Sequence, residues 1–530
     1  MEQVTIIGRG TWLDKVAQET VEREKKLGRS LKRVRVESGL GASGLPHIGS
    51  VGDAIRSYGV KLALENLGFK SELIAYSDDF DGLRKVPAGF PTWLKDYISH
   101  PVSRIPDPFD CHGSYAEHVG SLLRESLDKL GIQYTFQSGS EAYKSGALNG
   151  QIRTILSHSK KVGKKINELV GQSKYEESLP YTPVCKNCER IYVTQALSYS
   201  QSKDTVHYRC EGTKLGEKVV KGCGYEGDAK IEDGNGKLMW KVEFAARWAA
   251  FDIRFEAYGK ELTDSVKIND WVAEEVLGYP PPYHARYELF QDKSGRKISK
   301  SVGNLVTPIE WLEFASPESL RLLMYKRIVG ARNISLEDIP VYMDDFDDLE
   351  ESYFSKRRDP NQLKDARLRG LYEYTVLLEI PKAKGVHVPY RLLAQLSSVA
   401  PPGAVEEFVV KRLASYGMVA QASEDLAKRI AWATKWAGRE GRPNPQPPDL
   451  TPTAKKAVFE FAEALQKARN ADDIQNAAFE AAKKNGLKPG EFFPAVYAIL
   501  LGSDRGPRLG PYIVDAGPAS VSKTLLEAVE

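Results

Sequence analysis

The feature that most constrains this sequence is a strand, a glycine-rich turn and an amphipathic helix in immediate succession. Residues 33–36 alternate Arg-Val-Arg-Val as a strand does, and residues 38–44 contain three glycines. Apolar side chains then recur three or four positions apart from Ile48 to Leu67, the period of a helix that buries one face. A second strand, at 73–76, completes a βαβ unit. The segment predicts an α/β fold with an open parallel sheet, in which ligands bind beyond the carboxyl ends of the strands.

Changes of pattern along the chain predict four segments. A charged stretch that carries cysteines interrupts the α/β pattern, and helical periodicity dominates after Asp338, as in Ala454, Val458, Phe461 and Leu465. We therefore expect a nucleotide-binding domain in two halves with an inserted metal-binding module and an all-α domain behind it. The predicted bounds are 1–150 and 237–337 for the two halves, 151–236 for the zinc-binding insertion and 338–530 for the helical domain.

Bulk charge and hydropathy exclude some classes of protein. Lys plus Arg number 74 and Asp plus Glu 71, so the net charge of +3 gives no global sign of a polyanionic partner, and any nucleic-acid surface must be local. The first ten residues do not resemble a secretory signal, and no apolar run approaches the roughly 20 residues that span a bilayer. We expect a cytoplasmic protein without a membrane partner.

Four of the five cysteines lie close together in the sequence, at Cys185, Cys188, Cys210 and Cys223. The first pair has the two-residue spacing that wraps one tetrahedral metal, and four thiolates favour a closed structural zinc site. The alternative is four reduced cysteines packed as small apolar groups, although the Lys, Asn, Glu and Gly around them are typical of exposed knuckles.

A second potential metal site comprises Asp107, Cys111, His112 and His118. A carboxylate, a thiolate and two imidazoles within twelve residues have the chemistry to bind zinc. On composition alone, both histidines could equally be ordinary helix residues.

Two separated motifs indicate phosphate chemistry. The glycine turn leads through Pro46-His47-Ile48-Gly49 into a helix N-terminus, which offers free N–H groups to an anion. Far downstream, Lys297-Ile298-Ser299-Lys300-Ser301 has the composition of a mobile loop that neutralises charge on a leaving pyrophosphate. Either motif alone is also compatible with a structural turn or a solvated surface loop. Together they resemble the HIGH and KMSKS signatures of class I aminoacyl-tRNA synthetases.

Further motifs narrow the resemblance to class I lysyl-tRNA synthetases, over residues from about 12 to 350 and more loosely beyond. The matching segments are 37–49, 78–87, 106–118, 240–248 and 259–260. The resemblance implies a Rossmann-like catalytic domain, a helical anticodon-binding cage and a metal at the second cluster. It implies an ATP-dependent ligase that forms lysyl-adenylate with Mg·ATP and transfers lysine to tRNA(Lys), with tRNA required for activation; we expect a monomer.

The same resemblance assigns roles to individual residues. It implies catalytic roles for His47, Lys297 and Lys300. It implies ATP binding by Gly44, Pro46, His47, Gly49, Lys297, Ser299 and Lys300. It implies lysine binding by Gly41, Ser43, Asp78, Asp79 and Trp240. From the residues alone, two carboxylates at a strand end are suited to an ammonium group, but they could also form a solvated acidic turn, and Trp240 could be a core residue.

Three positions depart from the family pattern, and other functions stay open. Ser50 replaces the second His of HIGH, Ile298 replaces the Met of KMSKS, and Leu262 stands where the archaeal-type pattern has a His. Leu262 cannot hydrogen-bond, so a polar substrate contact there is in doubt. The alternatives are a glutamyl-like class I synthetase, a small-molecule nucleotidyltransferase, and a noncatalytic tRNA-binding paralogue.

Overall fold

The computed structural model describes residues 6–42, 44–296, 306–440 and 449–529. The strands are β1 (Val34–Leu40), β2 (Ser71–Ser77), β3 (Thr135–Ser138), β4 (Tyr181–Pro183), β5 (Thr194–Ser200), β6 (Thr205–Cys210), β7 (Gly212–Leu215), β8 (Lys218–Lys221), β9 (Glu226–Lys230), β10 (Gly236–Leu238), β11 (Ile253–Gly259), β12 (Tyr283–Tyr287), β13 (Phe290–Gln291) and β14 (Arg332–Asn333).

Helices alternate with these strands and then take over. They are α1 (Trp12–Lys26), α2 (Ile48–Asn66), α3 (Tyr115–Lys129), α4 (Gly139–Lys144), α5 (Asn149–Ser157), α6 (Ser159–Val170), α7 (Lys174–Glu177), α8 (Trp240–Phe251), α9 (Thr263–Glu275), α10 (Pro308–Phe314), α11 (Pro317–Tyr325), α12 (Ile339–Phe354), α13 (Gln362–Thr375), α14 (Tyr390–Val399), α15 (Val405–Ser415), α16 (Glu424–Glu440), α17 (Pro452–Leu465), α18 (Ala471–Lys484), α19 (Pro489–Leu501), α20 (Leu509–Ala516) and α21 (Pro518–Val529). Short 3₁₀ helices cover Thr92–Tyr97, Val102–Arg104, Lys260–Leu262 and Leu336–Asp338.

The central element is a parallel sheet in the order β12-β11-β1-β2-β3. β1 pairs with β2 over its whole length, from Val34 opposite Ser71 to Leu40 opposite Ser77. Strand, turn and helix follow one another as the periodicity predicts, because the apolar face of α2 packs on the sheet while β1 is buried on both sides. The predicted α/β fold class is confirmed.

The cysteine-bearing region forms antiparallel structure instead. β5, β6 and β9 make a three-stranded sheet, β7 and β8 form a hairpin, and β4 pairs with β10. The β4–β10 ribbon leads from this region into α8.

The chain divides into two compact units. One comprises residues 1–308, 321–334 and 358–380, and the other comprises 309–320, 335–357 and 381–530. The elements described in the second unit are helices joined by loops, with no strand among its described residues, and its core includes Trp311, Phe461 and Phe492. This confirms an all-α C-terminal region, whereas the domain bounds stated above stay predictions. In the described ranges, no helix combines the length and apolar character needed to cross a membrane.

Candidate functional site

A cavity of about 250 Å³ opens at the carboxyl ends of the parallel strands. This is where an open α/β sheet places its ligands, because the chain leaves each strand there into a loop. Its lining includes five residues predicted from the sequence, and it also includes several that were not predicted. The predicted residues are Gly41, His47, Gly49, Asp78 and Trp240, and the others include Asp53, Phe244, Arg247, Glu256, Tyr258, Leu262 and Tyr287.

His47 is fixed by the start of α2. Its Nδ1 accepts a hydrogen bond from the Ser50 N–H at 3.2 Å, and the Ser50 hydroxyl accepts one from the His47 N–H at 3.5 Å. Ser50, which replaces the second His of the HIGH signature, thus completes a capping box. Gly49 gives the ring room, since a Cβ there would lie 2.9 Å from the imidazole. The imidazole therefore borders the cavity beside a helix N-terminus, where negative charge is stabilised.

Asp78 reaches the cavity directly after β2 and is held by a buried arginine. Arg247 Nη1 lies 3.1 Å from Asp78 Oδ1, and Arg247 Nε donates to Glu37 Oε1 at 2.9 Å. The guanidinium also stacks on Tyr76, 4.1 Å from the ring centroid. Burial raises the pKa of Asp78 to about 7, even though Arg247 acts in the opposite direction.

Glu256 on β11 belongs to the same network. It lies beside Glu37 in the β1–β11 register, and two neighbouring carboxylates repel each other unless a cation lies between them. Arg247 Nη2 is 3.9 Å from Glu256 Oε1 and supplies that cation. Burial, followed by the charge of Glu37, raises the pKa of Glu256 to about 8.

Asp79 has a different setting from its neighbour. Its Oδ1 accepts a hydrogen bond of 2.6 Å from the Ser140 N–H at the start of α4, and the residue is only 8% exposed. Asp79 does not line the cavity. Consecutive residues at a strand end point in opposite directions, so only Asp78 faces the ligand side.

Trp240 begins α8 and forms an apolar wall of the cavity with Phe244, whose ring centroid is 5.4 Å away. Its indole Nε1 is buried and has no hydrogen-bond partner among the described residues. Leu262 lines the same cavity and, like Trp240, packs against the hydrophobic core cluster that includes Phe244 and Trp248. Leu262, which stands where the family pattern has a His, therefore adds to the apolar wall that Trp240 and Phe244 form.

Several residues that were predicted to bind a substrate are not found in the lining of the cavity. Gly44 and Pro46 are buried in the turn before α2 and do not line it. Ser43, Lys297, Ser299 and Lys300 lie outside the described residues.

Sequence reasoning missed the charged groups that surround the predicted ones. Arg247 follows Trp240 by seven positions, which is two helical turns, so this spacing could have placed both on one face of α8. No local signal marks Asp53, which accepts a hydrogen bond from the Tyr287 hydroxyl. Burial raises the pKa of Asp53 to about 8, although Arg56 lowers it.

The four clustered cysteines converge in space. Cys185 Sγ is 3.6 Å from Cys223 Sγ, and Cys188 Sγ is 3.7 Å from Cys210 Sγ. Four sulfurs bound to one zinc at ~2.3 Å would be ~3.8 Å apart, so the spacing fits a tetrahedral ion. The turn after β4, the end of β6 and the residues after β8 supply these sulfurs.

Asp107, Cys111, His112 and His118 also converge, with ligand atoms within 4.8 Å of one another. Cys111 Sγ lies 3.1 Å from His112 Nδ1 and 3.2 Å from His118 Nδ1. Burial raises the pKa of Asp107, but backbone N–H groups of Phe109, Cys111 and His112 outweigh it and hold that pKa at about 2. The charged carboxylate, thiol and imidazoles form a donor set that could hold a second metal.

Comparison with known proteins agrees with this geometry. The family model described as "tRNA synthetases class I (K)" matches residues 10–376. A protein named lysine–tRNA ligase from Cenarchaeum symbiosum (strain A) is 50% identical, over 97% of this chain and 98% of its own length. Similarly named proteins are 30% identical in Methanocaldococcus jannaschii, over 96% and 97% of the two chains, and 28% identical in Rickettsia bellii (strain OSU 85-389), over 93% of each. The chain belongs to the family of class I (K) tRNA synthetases, the class I lysyl-tRNA synthetases.

Proposed function

We propose that this protein is a lysine–tRNA ligase, which activates lysine with ATP and transfers it to the 3′-terminal ribose of tRNA(Lys). One observation carries the proposal. His47, Asp78 and Trp240 come from separate segments and meet in one cavity, in a chain that aligns over 97% of its length with a protein of that name.

The carboxyl groups of the cavity favour a cationic amino acid. Five of them line it, and they are Asp53, Asp78, Glu256, Glu261 and Glu288. Burial raises the pKa values of Asp53, Asp78 and Glu256 to about 7 or 8, so an ammonium group placed beside them would stabilise their ionised forms. In this proposal Asp78 accepts the α-ammonium group of lysine, and the alkyl stem packs on Trp240. Gly41 and Ser43 belong to the lysine-binding motif in this proposal, and Asp79 supports the acidic turn through its hydrogen bond to the start of α4.

Activation needs positioning rather than a covalent enzyme intermediate. A carboxylate oxygen of lysine attacks the α-phosphorus of Mg·ATP, the bond to the bridging oxygen breaks, and pyrophosphate leaves. Gly44, Pro46 and Gly49 shape the nucleotide side of the turn. Lys297 and Lys300 neutralise the charge that develops on the phosphates, and the His47 imidazole and the Ser299 hydroxyl donate hydrogen bonds to it. The 2′-hydroxyl of the tRNA terminal ribose then attacks the carbonyl of lysyl-adenylate, losing its proton as AMP leaves.

The two donor clusters have structural roles in this proposal. Zinc held by Cys185, Cys188, Cys210 and Cys223 would fill a closed tetrahedral site and stabilise the inserted module. A second zinc would be held by Asp107, Cys111, His112 and His118, next to the start of α3.

The direct test is ATP–pyrophosphate exchange and tRNA charging with each amino acid. We expect exchange with lysine only, exchange that depends on added tRNA, and a lysyl-tRNA product. Exchange with glutamate would support the glutamyl-like alternative. Exchange with a small acceptor and no tRNA would support a nucleotidyltransferase, and tRNA binding without exchange would support a noncatalytic paralogue.

Trp240→Ala should raise the KM for lysine by about tenfold to thirtyfold and leave the KM for ATP nearly unchanged. The reason is that, of the substrates, the Trp240 ring would contact only lysine, and it would do so in the ground state and in the transition state alike. Steady-state kinetics of charging, with each substrate varied in turn, measures both constants. Trp271→Ala is the matched control, because that partly buried tryptophan packs on the same hydrophobic cluster without lining the cavity. Equal increases in both constants would make Trp240 a core residue.

Cys210→Ser should lower the zinc content by one ion per chain and destabilise the antiparallel module, because structural zinc contributes folding free energy directly. Metal analysis and hydrogen exchange across β5, β6 and β9 measure the two effects. Thr205→Ser, on the same strand but outside the sulfur cluster, should change neither. A purified Cys210→Ser protein with wild-type zinc content would rule out the assignment.

A further inference from the structure

A buried ion cluster adjoins the cavity and contributes no residue to its lining. Its centre is Lys237 on β10, whose ammonium donates to the Asp81 carboxylate and lies 3.1 Å from Glu243 Oε2 on α8. The other oxygen of Glu243 accepts a hydrogen bond of 2.9 Å from the Tyr143 hydroxyl. All four residues are buried, with Lys237 only 3% exposed. We call them the Lys237 cluster.

The Lys237 cluster is better explained by the geometry it fixes than by the stability it adds. Burying an ammonium group costs free energy, and apolar residues of similar volume often stabilise a core equally well. Burial lowers the pKa of Lys237, but Asp81 and Glu243 outweigh it and hold that pKa well above its usual range. The side chain is therefore a permanent cation that binds two carboxylates from different elements.

One of these carboxylates belongs to the turn that carries Asp78. This turn, residues 78–81, follows β2, and the Asp81 N–H closes it with a hydrogen bond of 3.2 Å to the Asp78 carbonyl. Lys237 binds the Asp81 end, and Arg247 binds the Asp78 end at 3.1 Å. Both ends of the turn are thus attached to α8 or to the strand that leads into it.

The other carboxylate belongs to the opposite wall of the cavity. Trp240 begins α8 three residues after Lys237 and three residues before Glu243. The ion pair of Lys237 with Glu243 therefore joins the end of β10 to the first turn of α8. In the described strands, β2 pairs with β1 and β3, whereas β10 pairs with β4. Strand pairing thus does not set the separation of Asp78 from Trp240, and side chains have to set it.

We propose that Lys237 is a positioning residue for the amino acid: it ties the turn of Asp78 to the start of α8, so that the ammonium and alkyl contacts to lysine keep a fixed separation. The inference rests on the proposed function, in which Asp78 and Trp240 hold these two parts of lysine. Lys237 itself does not touch the substrate. Without it the turn and the helix can shift apart, and a misplacement of about 1 Å can cost roughly a hundredfold in rate.

Lys237 and Asp81 also influence the charge of Asp78, in opposite directions. Burial raises the pKa of Asp78 and Arg247 lowers it; beyond these effects, Asp81 raises it and Lys237 lowers it. Asp78 has to be ionised to form an ion pair with the lysine ammonium. Loss of the Lys237 charge should therefore weaken lysine binding at the acidic end of the pH range, and loss of the Asp81 charge should do the reverse. The charged groups around Asp78 are Arg247 and Glu243 on α8, Lys237 on β10, Asp81 in the same turn, Glu37 on β1 and Glu256 on β11.

The test compares Lys237→Met and Asp81→Asn with the wild-type full chain. Arg254→Met is the matched control, because this β11 arginine is also buried and paired with a buried carboxylate, Glu24, but lies at the amino end of its strand, away from the cavity. ATP–pyrophosphate exchange with added tRNA(Lys) gives kcat and KM between about pH 5 and about pH 9. Hydrogen exchange measures the opening of residues 78–81.

We expect both variants to raise the KM for lysine by about tenfold and to change kcat and the KM for ATP by less than about threefold, because the displaced contacts hold lysine in the ground state and in the transition state alike. The acidic limb of kcat/KM for lysine should move to higher pH in Lys237→Met and to lower pH in Asp81→Asn. Amide exchange in residues 78–81 should be faster in both. Arg254→Met should lose stability but keep the wild-type KM, acidic limb and amide exchange.

Two results would overturn the inference. A wild-type KM for lysine and an unmoved acidic limb in the variants would make the Lys237 cluster purely structural. The same changes in Arg254→Met would assign them to a general loss of stability. If Lys237→Met does not fold, Asp81→Asn supplies both measurements, since it leaves the ammonium paired with Glu243. Absence of lysine-dependent exchange in the wild-type protein would reject the proposed function separately, because hydrogen exchange tests the fixing of the turn without any activity.

Discussion

Arg247→Met is expected to destabilise the protein by about 3–5 kcal/mol, because it removes one partner of a buried ionic network. Arg247 is 1% exposed, and Glu37, next to it, is fully buried. Without the guanidinium, the neighbouring carboxylates of Glu37 and Glu256 repel each other across β1 and β11, and Asp78 loses its anchor at the cavity. Chemical denaturation of the purified variant measures the loss, and the KM for lysine should rise with it.

The stability lost in Arg247→Met should increase as the pH rises. Burial raises the pKa of Glu37, and raises that of Asp78 to about 7, while Arg247 lowers both. Without Arg247 both values rise further, so the folded state holds protons that the unfolded chain releases above pH ~4. A raised carboxyl pKa makes stability fall as pH increases from the unfolded value to the folded one. The destabilisation by Arg247→Met should therefore be smaller at pH 5 than at pH 8.

Two further variants test whether the loss of a compensating charge causes the destabilisation by Arg247→Met. Arg247→Lys keeps the charge but cannot reach Glu37 and Asp78 with one planar fork, so its loss should be intermediate. Glu37→Gln combined with Arg247→Met should recover part of the stability, because one uncompensated charge is gone. A double variant no more stable than Arg247→Met alone would assign the loss to packing against Tyr76.

Lys300→Ala is expected to lower kcat for lysine activation by about a hundredfold to a thousandfold, the effect of removing one preorganised contact to charge that develops in the transition state. In the proposed mechanism Lys300 meets the triphosphate mainly as charge shifts to the departing pyrophosphate. The KM for ATP should therefore change much less than kcat. ATP–pyrophosphate exchange in the presence of tRNA measures both constants.

Arg296→Ala is the matched control for the loop. Arg296 is exposed and forms an ion pair with Asp292, with Nε 3.2 Å from the carboxylate oxygen. Its removal should leave kcat within about threefold of wild type, since an exposed pair contributes ~0–1 kcal/mol. Lys300→Arg should restore part of the rate, because a planar fork does not reproduce a compact ammonium. Charging at near wild-type kcat by Lys300→Ala would contradict the proposed mechanism.

The parts of the fold that the sequence predicted are those set by local periodicity. Alternating Arg-Val-Arg-Val and the three-and-four spacing after Ile48 each report which face of a segment is buried, and β1 and α2 form where these patterns lie. The convergence of the four cysteines could be predicted for a similar reason, because a pair of cysteines two residues apart is the local pattern of a zinc-binding turn. Lys297 to Ser301 rests on the motif alone, because this loop is outside the described residues.

Only the tertiary structure showed which charges act together. Glu37, Asp78, Arg247 and Glu256 are up to about 220 residues apart in the sequence. The pairing of β1 with β2 and β11 brings the three carboxyl groups together, and α8 carries Arg247 to them. The same is true of Asp78 and Asp79, which are equivalent in the sequence but face opposite sides once β2 ends beside α4. Local patterns record the period of one element, whereas the partners of a buried charge depend on how distant elements pair. For this protein, the sequence determined the fold class, the family motifs and the candidate metal ligands, and the packing of the sheet decided the electrostatics of the cavity.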